Sequence, residues 1–259
     1  MTENPIIVTG SKGGVGTSTV ALNIAVQLAM QTKRSTLLVD LARPFGQISL
    51  MLDLEPRFTI LDALERIERL DERLLAGMTM RHKSGVEVLA GPQQALLKAE
   101  QRQSVTIQAI SRLIEIADDG YDFVVVDIGV VNAAEWAAVL RLAGTILLVA
   151  EPSALALGMI AHHMAAAAPA GVDCSRIHIV MNRWRQNDDA AVASFEKSSG
   201  LSILKRLPND YRQLTEAVQL GMPLVGSANN PLIARYRDLA TWLASRLSES
   251  KAAEPATQK

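Results

Sequence analysis

Ser11-Lys12-Gly13-Gly14-Val15-Gly16-Thr17-Ser18-Thr19 is the stretch from which the rest of this sequence can be read. An apolar run, Pro5-Ile6-Ile7-Val8-Thr9, precedes it and predicts a strand. Val20 to Ala29 follows, with apolar residues at helical spacing. A strand, a glycine-rich turn and a helix, in that order, form the setting in which a loop can hold phosphate. The glycines let backbone N–H groups turn inward on an anion with no Cβ in the way. The helix start adds unpaired N–H groups and the positive end of a dipole.

Set against the pattern G-x-x-x-x-G-K-[ST], the match is incomplete. Ser11 stands at the first glycine, and Thr17 stands at the lysine that reaches the terminal phosphates. Ser18 is the hydroxyl expected on Mg²⁺, and a lysine occurs instead inside the loop, at Lys12. These residues resemble the deviant Walker A ATPases, whose signature is K-G-G-x-G-K-[ST] and whose members include MinD, ParA and the nitrogenase iron protein. The resemblance implies an α/β fold, a three-layer α/β/α P-loop NTPase domain with a mainly parallel sheet. It also implies ATP and Mg²⁺ as ligands, with Lys12, Gly13, Gly14, Val15, Gly16, Thr17, Ser18 and Thr19 around the phosphates. It implies a homodimer as well, in which Lys12 of each subunit contributes to catalysis at the other's nucleotide.

Composition agrees with such a fold. The chain has 259 residues, within the range of one α/β domain. Hydrophobic residues make up 49% and aromatics only 4%, the balance of helices packed on a buried parallel sheet. A net charge of −1 demands no nucleic-acid partner. Cys174 is the only cysteine, so neither an internal disulfide nor a cysteine cluster for zinc can form. No apolar run reaches the about 18 residues that span a bilayer, and no signal peptide precedes the first strand. A cytoplasmic protein is the expectation, with any recruitment to a cell pole or the inner membrane left to a partner.

Further along, two buried strands end in carboxylates. Thr36-Leu37-Leu38-Val39-Asp40 is the first, and in the family it opens switch I, written D-x-D. Asp40 matches the first aspartate and is expected to serve catalysis, or else to cap the next turn. The second aspartate, which positions the attacking water, is Ala42 here. Tyr121 to Asp127 resembles the Walker B strand, whose terminal carboxylate holds a Mg²⁺-bound water, so Ser18 and Asp127 form the metal set. Asn182, at the end of the strand Arg176–Arg183, falls at the family's adenine-recognition position. Pro208 and Asp210 lie in the loop that closes over the base. With Thr17 and Ala42 in place of two groups that neutralise charge and position water, hydrolysis is expected to be weak or absent.

Elsewhere, Thr59 to Leu75 reads as an amphipathic helical region, Val86 to Ala90 as a strand and Ser104 to Asp119 as a helix. The adjacent His162 and His163 read as surface or packing residues rather than metal ligands. The domain is expected to span residues 1–247, and Ser248 to Lys259 reads as a disordered tail. The tail carries no bulky apolar residue, so a membrane anchor of the MinD kind is not expected.

Phe45 to Pro56, Leu207 to Tyr211 and Gln219 to Leu224 are closest to the CpaE/TadZ branch, which assembles Flp (tight-adherence) pili. That resemblance implies a pilus secretion machinery protein as partner. Members of the branch commonly carry an N-terminal receiver-like domain, whereas here the ATPase motif begins beside Met1. Two other readings stay open. One is a ParA-like positioner that binds DNA non-specifically through Arg235, Arg237 and Arg246. The other is a scaffold that binds no nucleotide.

Overall fold

The computed structural model describes residues 5–93, 105–129, 133–226 and 229–253. In chain order the strands are β1 (Ile6–Gly10), β2 (Thr36–Asp40), β3 (Met80–Arg81), β4 (Glu87–Leu89), β5 (Phe123–Asp127), β6 (Thr145–Ala150), β7 (Ile177–Trp184) and β8 (Ile203–Pro208). The helices are α1 (Thr17–Thr32), α2 (Ile48–Met51), α3 (Ile60–Glu65), α4 (Glu72–Ala76), α5 (Ile107–Gly120), α6 (Ala133–Arg141), α7 (Ala154–Ala167), α8 (Asp189–Ser199), α9 (Tyr211–Gln219) and α10 (Pro231–Ala253).

Among the described residues the strands form one sheet in the order β3-β4-β2-β5-β1-β6-β7-β8. Pairing is parallel throughout except between β3 and β4. This is the expected α/β/α architecture. β1 sits between β5 and β6, and the chain crosses to one side of it through α1 and to the other through α6. Such a reversal opens a crevice at the carboxyl end of the central strand, the usual binding place in sheets of this kind.

Side-chain alternation builds the layers. Ile6, Val8, Leu38 and Val125 point to the face covered by α1 and α10. Ile7, Leu37, Val39, Val124 and Val126 point to the face covered by α3, α5 and α6. Leu148, Ala150, Ile179 and Met181 extend that second face under α7 and α8. Strands buried on both faces explain the unbroken apolar runs of the sequence. Within α1, Asn23 and Gln27 are buried yet satisfied. Asn23 accepts from Leu224 N at 2.8 Å, and the Gln27 amide donates to Leu224 O at 3.3 Å. This clamp fixes the turn between α9 and α10 against the helix that follows the loop.

Several boundaries differ from the sequence reading. The Thr59–Leu75 region is not one helix but α3, a 3-10 turn (Ile67–Arg69) and α4. Local capping breaks it: Thr59 and Asp62 form a capping box at α3, and Asp71 accepts from Leu74 N at α4. α5 starts later than Ser104, at Ile107, where the Thr106 hydroxyl caps it; Ser104 itself lies outside the described residues. α10 continues past Leu247 to Ala253, so the start of the expected tail is helical, while residues 254–259 lie outside the described ones. None of the helices among the described residues is long and apolar enough to cross a membrane.

At the far edge, β8 carries Lys205 and Arg206. Lys205 pairs with Asp238, and Arg206 pairs with Asp189 and Glu196.

Tyr236 on α10 is fully buried, and its hydroxyl has no hydrogen-bond partner. An unpaired buried hydroxyl gives nothing back for its desolvation. Tyr236→Phe should therefore leave unfolding free energy unchanged within about 1 kcal/mol or raise it. Tyr236→Ala should lose about 3–5 kcal/mol through the cavity it leaves. Urea unfolding of both variants checks this; a large loss in the phenylalanine variant would contradict it.

Candidate functional site

β1 ends at Gly10, and the chain then turns across the carboxyl edge of the sheet before α1 begins at Thr17. The glycines here answer to space. A Cβ on Gly10 would lie 2.5 Å from Thr17 Oγ1, and one on Gly16 would lie 2.4 Å from Asn182 Nδ2. Gly16 also holds φ 94°, in the left-handed region that favours glycine. The first turn of α1 has no side-chain cap, so its N–H groups are free for an anion.

A cavity of about 680 Å³ opens over this loop. Lys12, Gly13, Gly14, Gly16, Thr17, Ser18 and Thr19 line it, together with Ala42, Arg43, Gly129, Trp136, His163 and Arg183. The structure thus gathers the expected phosphate-loop residues around one opening, with one exception. Val15 is buried, and its carbonyl accepts from Asn182 Nδ2 at 2.8 Å.

That bond locates Asn182. Expected at the base, it is buried at the end of β7 and braces the loop from behind, without lining the cavity. Pro208 and Asp210 also stand off the cavity. Pro208 ends β8, and Asp210 caps α9 by accepting from Gln213 N at 3.1 Å. Asp40 makes backbone contacts at the start of the loop after β2. One oxygen accepts from Ala42 N at 3.0 Å and the other from Ile48 N at 3.1 Å, so the carboxylate shapes the loop after β2. Gly46 and Gly91 pack so closely on Asp40 that a Cβ at either would collide with it. The turn-capping reading of Asp40 describes this geometry.

Lys12 does not hang free. Its ammonium lies 2.7 Å from Glu151 at the end of β6, and Arg183 reaches the other oxygen of the same carboxylate at 3.2 Å. The Lys12 contact holds the Glu151 carboxyl below its ordinary pKa. Sequence reasoning passed over Glu151, although a signal was present: β2, β5 and β6 each run through apolar residues into an acidic one, Asp40, Asp127 and Glu151.

It also passed over Trp136, Arg43 and Glu135, and gave His163 only a surface or packing role. Trp136 on α6 donates to Thr9 Oγ1 at 3.2 Å and stacks on His163, with ring centroids 5.2 Å apart. His163 Nε2 lies 3.0 Å from Ser11 O, so α6 and α7 both brace the start of the loop. The packing reading of His163 fits, but its neighbour is the phosphate loop. Arg43 pairs with Glu135 of α6.

Asp127 tests whether Mg²⁺ suits the site. It is fully buried, pairs in register with Asp40 across β2 and β5, and its Oδ2 has no hydrogen-bond partner. Burial first, and the neighbouring Asp40 second, push its pKa up to about 7; the Ser18 hydroxyl and Gly129 N–H partly offset this. Burial pushes Asp40 up to about 6. A buried, unpaired oxygen beside a serine at a helix start suits a hydrated divalent cation. Ser18 and Asp127 are the residues that would hold it, and it would supply charge neutralisation at the terminal phosphates.

The sign of the pH effect follows. Both folded-state pKa values lie above those of an unfolded chain, so ionising the two carboxyls costs stability between about pH 4 and pH 7. That part of the stability is present at low pH and lost as pH rises. Asp127→Asn should remove much of it, and without metal its melting temperature should exceed that of the native chain at pH 8 but not at pH 4.5. Melting curves at the two pH values decide the matter, and an equal difference at both would refute the assignment.

A family profile described as an AAA domain matches residues 4–165. Over 240 residues the chain is 28% identical to a putative septum site-determining protein MinD of Oltmannsiellopsis viridis, spanning 86% of this chain and 70% of that one. It is 30% identical over 155 residues to the antiactivator FleN of Pseudomonas aeruginosa, spanning 58% of this chain and 52% of that one. Among solved structures it superposes on a ParA family ATPase of Chlorobium tepidum with a TM-score of 0.83 and 26% identity, over 92% of this chain and 99% of that one. The cell division ATPase MinD of Pyrococcus furiosus shares the fold with a TM-score of 0.74 at 21% identity, over 95% of this chain and 99% of that one. The profile covers more than half of the sequence, and the chain belongs to this AAA-domain family, as a P-loop ATPase of the MinD and ParA type.

Proposed function

We propose that this chain is a nucleotide-governed dimer switch. It binds Mg-ATP in the cavity over the glycine loop, pairs face to face with a second copy, and hydrolyses the nucleotide slowly or not at all. The observation that carries this reading is the division of the site. The parts that bind are present: the loop, the open start of α1, Ser18 and the unpaired Asp127 oxygen. Two positions that drive hydrolysis carry Thr17 and Ala42, and both line the same cavity. Ala42 packs directly on Gly129, where a Cβ would come within 2.9 Å of it, and its own side chain brings no carboxylate to that corner.

In the deviant Walker A reading, Lys12 crosses to the partner's phosphates. Its present contact with Glu151 is a partly exposed ion pair, worth about 1 kcal/mol or less, so exchanging it for phosphate is easy. Solved relatives include a MinD with Mg-ADP, from Pyrococcus horikoshii, and a MinC:MinD complex, from Aquifex aeolicus. Both likenesses support nucleotide binding and partner binding as the mode of action. Within the family we place the chain in the CpaE/TadZ branch, on Phe45 to Pro56 and the segments around Pro208 and Gly221. A pilus secretion machinery protein is then the reader of the dimer, and a partner supplies cellular position.

A DNA-coating role receives less support. Arg235 pairs with Asp238, and Arg246 lies over the Trp242 ring, so two of the three arginines named for it are engaged within α10.

Calorimetric titration with Mg-ATP, with mass measured by light scattering in the same samples, tests the proposal. Mg-ATP should bind and should double the mass, and Lys12→Ala should bind nucleotide without doubling. A protein that binds no Mg-ATP refutes it. Turnover supplies a second check. Thr17→Lys combined with Ala42→Asp should raise phosphate release at least about tenfold, and an unchanged rate would sink the account of weak hydrolysis.

A further inference from the structure

The usual loop lysine neutralises the terminal phosphates, and this chain has Thr17 in its place. Charge of that size is not left uncompensated in a poorly solvated cleft without cost. Among the described residues, three strong cations line the cavity: Lys12, Arg43 and Arg183. Lys12 and Arg183 share Glu151 at one side. Arg43 enters from the loop after β2 and pairs with Glu135, their side chains only 19% and 11% exposed.

Three features mark Arg43. Its guanidinium, like that of Arg183, is a fixed fork that matches two phosphate oxygens at once. Its backbone is held in place, because Asp40 accepts from Ala42 N and Ala42 packs on Gly129. Its partner Glu135 lies on α6, the helix after the Asp127–Gly129 segment. A mostly buried arginine–carboxylate pair contributes little net stability, since desolvation offsets the attraction. Passing the guanidinium to phosphate leaves the mostly buried Glu135 carboxylate without it, a cost that the phosphate contacts must offset.

We propose that Arg43 is the cation this chain uses at the terminal phosphate in place of the loop lysine, its guanidinium passing from Glu135 to the phosphate oxygens when nucleotide binds. The inference rests on the nucleotide reading of the cavity. No bond is made or broken, and the exchange swaps one charge-assisted hydrogen-bonded pair for another. Because Glu135 belongs to α6, the exchange also unties the loop after β2 from that helix. Nucleotide with a terminal γ-phosphate and nucleotide without one then leave the surface in different states.

Titration of the full-length chain with Mg-ATP and with Mg-ADP tests this, in the native protein, Arg43→Gln, Glu135→Gln and the double variant. Arg43→Gln should weaken Mg-ATP about tenfold or more and Mg-ADP less, so the ratio between them falls. Glu135→Gln should tighten Mg-ATP several-fold, since it removes the competing anion. The double variant should bind Mg-ATP as weakly as Arg43→Gln. It leaves no unpaired buried charge, so it still discriminates if a single variant fails to fold. A merely structural pair would show a different pattern: both single variants weakened alike, with the ATP-to-ADP ratio unchanged, and that result overturns the proposal. If the native protein binds Mg-ATP and the double variant binds it equally well, only the role of Arg43 falls. If the native protein binds neither nucleotide, the reading of the cavity falls with it.

Discussion

Two carboxylates stand side by side in a dry place. Asp40 and Asp127 end neighbouring parallel strands in register, and neither is exposed to solvent. Like charges so placed repel, and burial penalises each. The surroundings divide the problem unequally. Asp40 spends both oxygens on backbone N–H groups and thereby folds the loop that carries Ala42 and Arg43. Asp127 keeps one oxygen without a hydrogen-bond partner, so one member of the pair is fully committed to structure and the other is not. The course of the loop after β2, the close packing of Gly46 and Gly91, and the contact between Ala42 and Gly129 all follow from satisfying Asp40 first.

The phosphate loop depends on its supports in a comparable way. Asn182 holds it from behind, and His163 and Trp136 hold its start from the side. Each support comes from a different element: β7, α7 and α6. An anion-binding loop gains from such bracing, because N–H groups already in position need not be ordered when the ligand arrives. A loop defined by three glycines is itself loose, and the fold removes that looseness from outside.

Much of this was legible in the residues. The strand, glycine turn and helix at the start, and the apolar strands with acidic ends, gave the sheet and the place of the cleft, because those signals are local and repeat at short spacing. Thr59 to Leu75 is helical as its apolar spacing suggests, but in pieces, because Thr59 and Asp71 each start a new helix. Asn182 differs again: an amide in a strand can meet a ligand or the backbone, and its bond to Val15 O depends on a loop 167 positions away in the chain. Arg43 and Glu135, 92 positions apart, and His163 and Ser11, 152 apart, meet only through sheet topology, so no motif announces them.

The guarded edge of the sheet bears on how copies of this chain can meet. A bare strand edge invites another strand to add to it, and charged side chains on the edge are a common defence. β8 carries Lys205 and Arg206, each held by acidic partners on α10 and α8. Extending the sheet from one copy to the next would force those pairs to rearrange. Growth into a continuous ribbon at this edge is thereby discouraged.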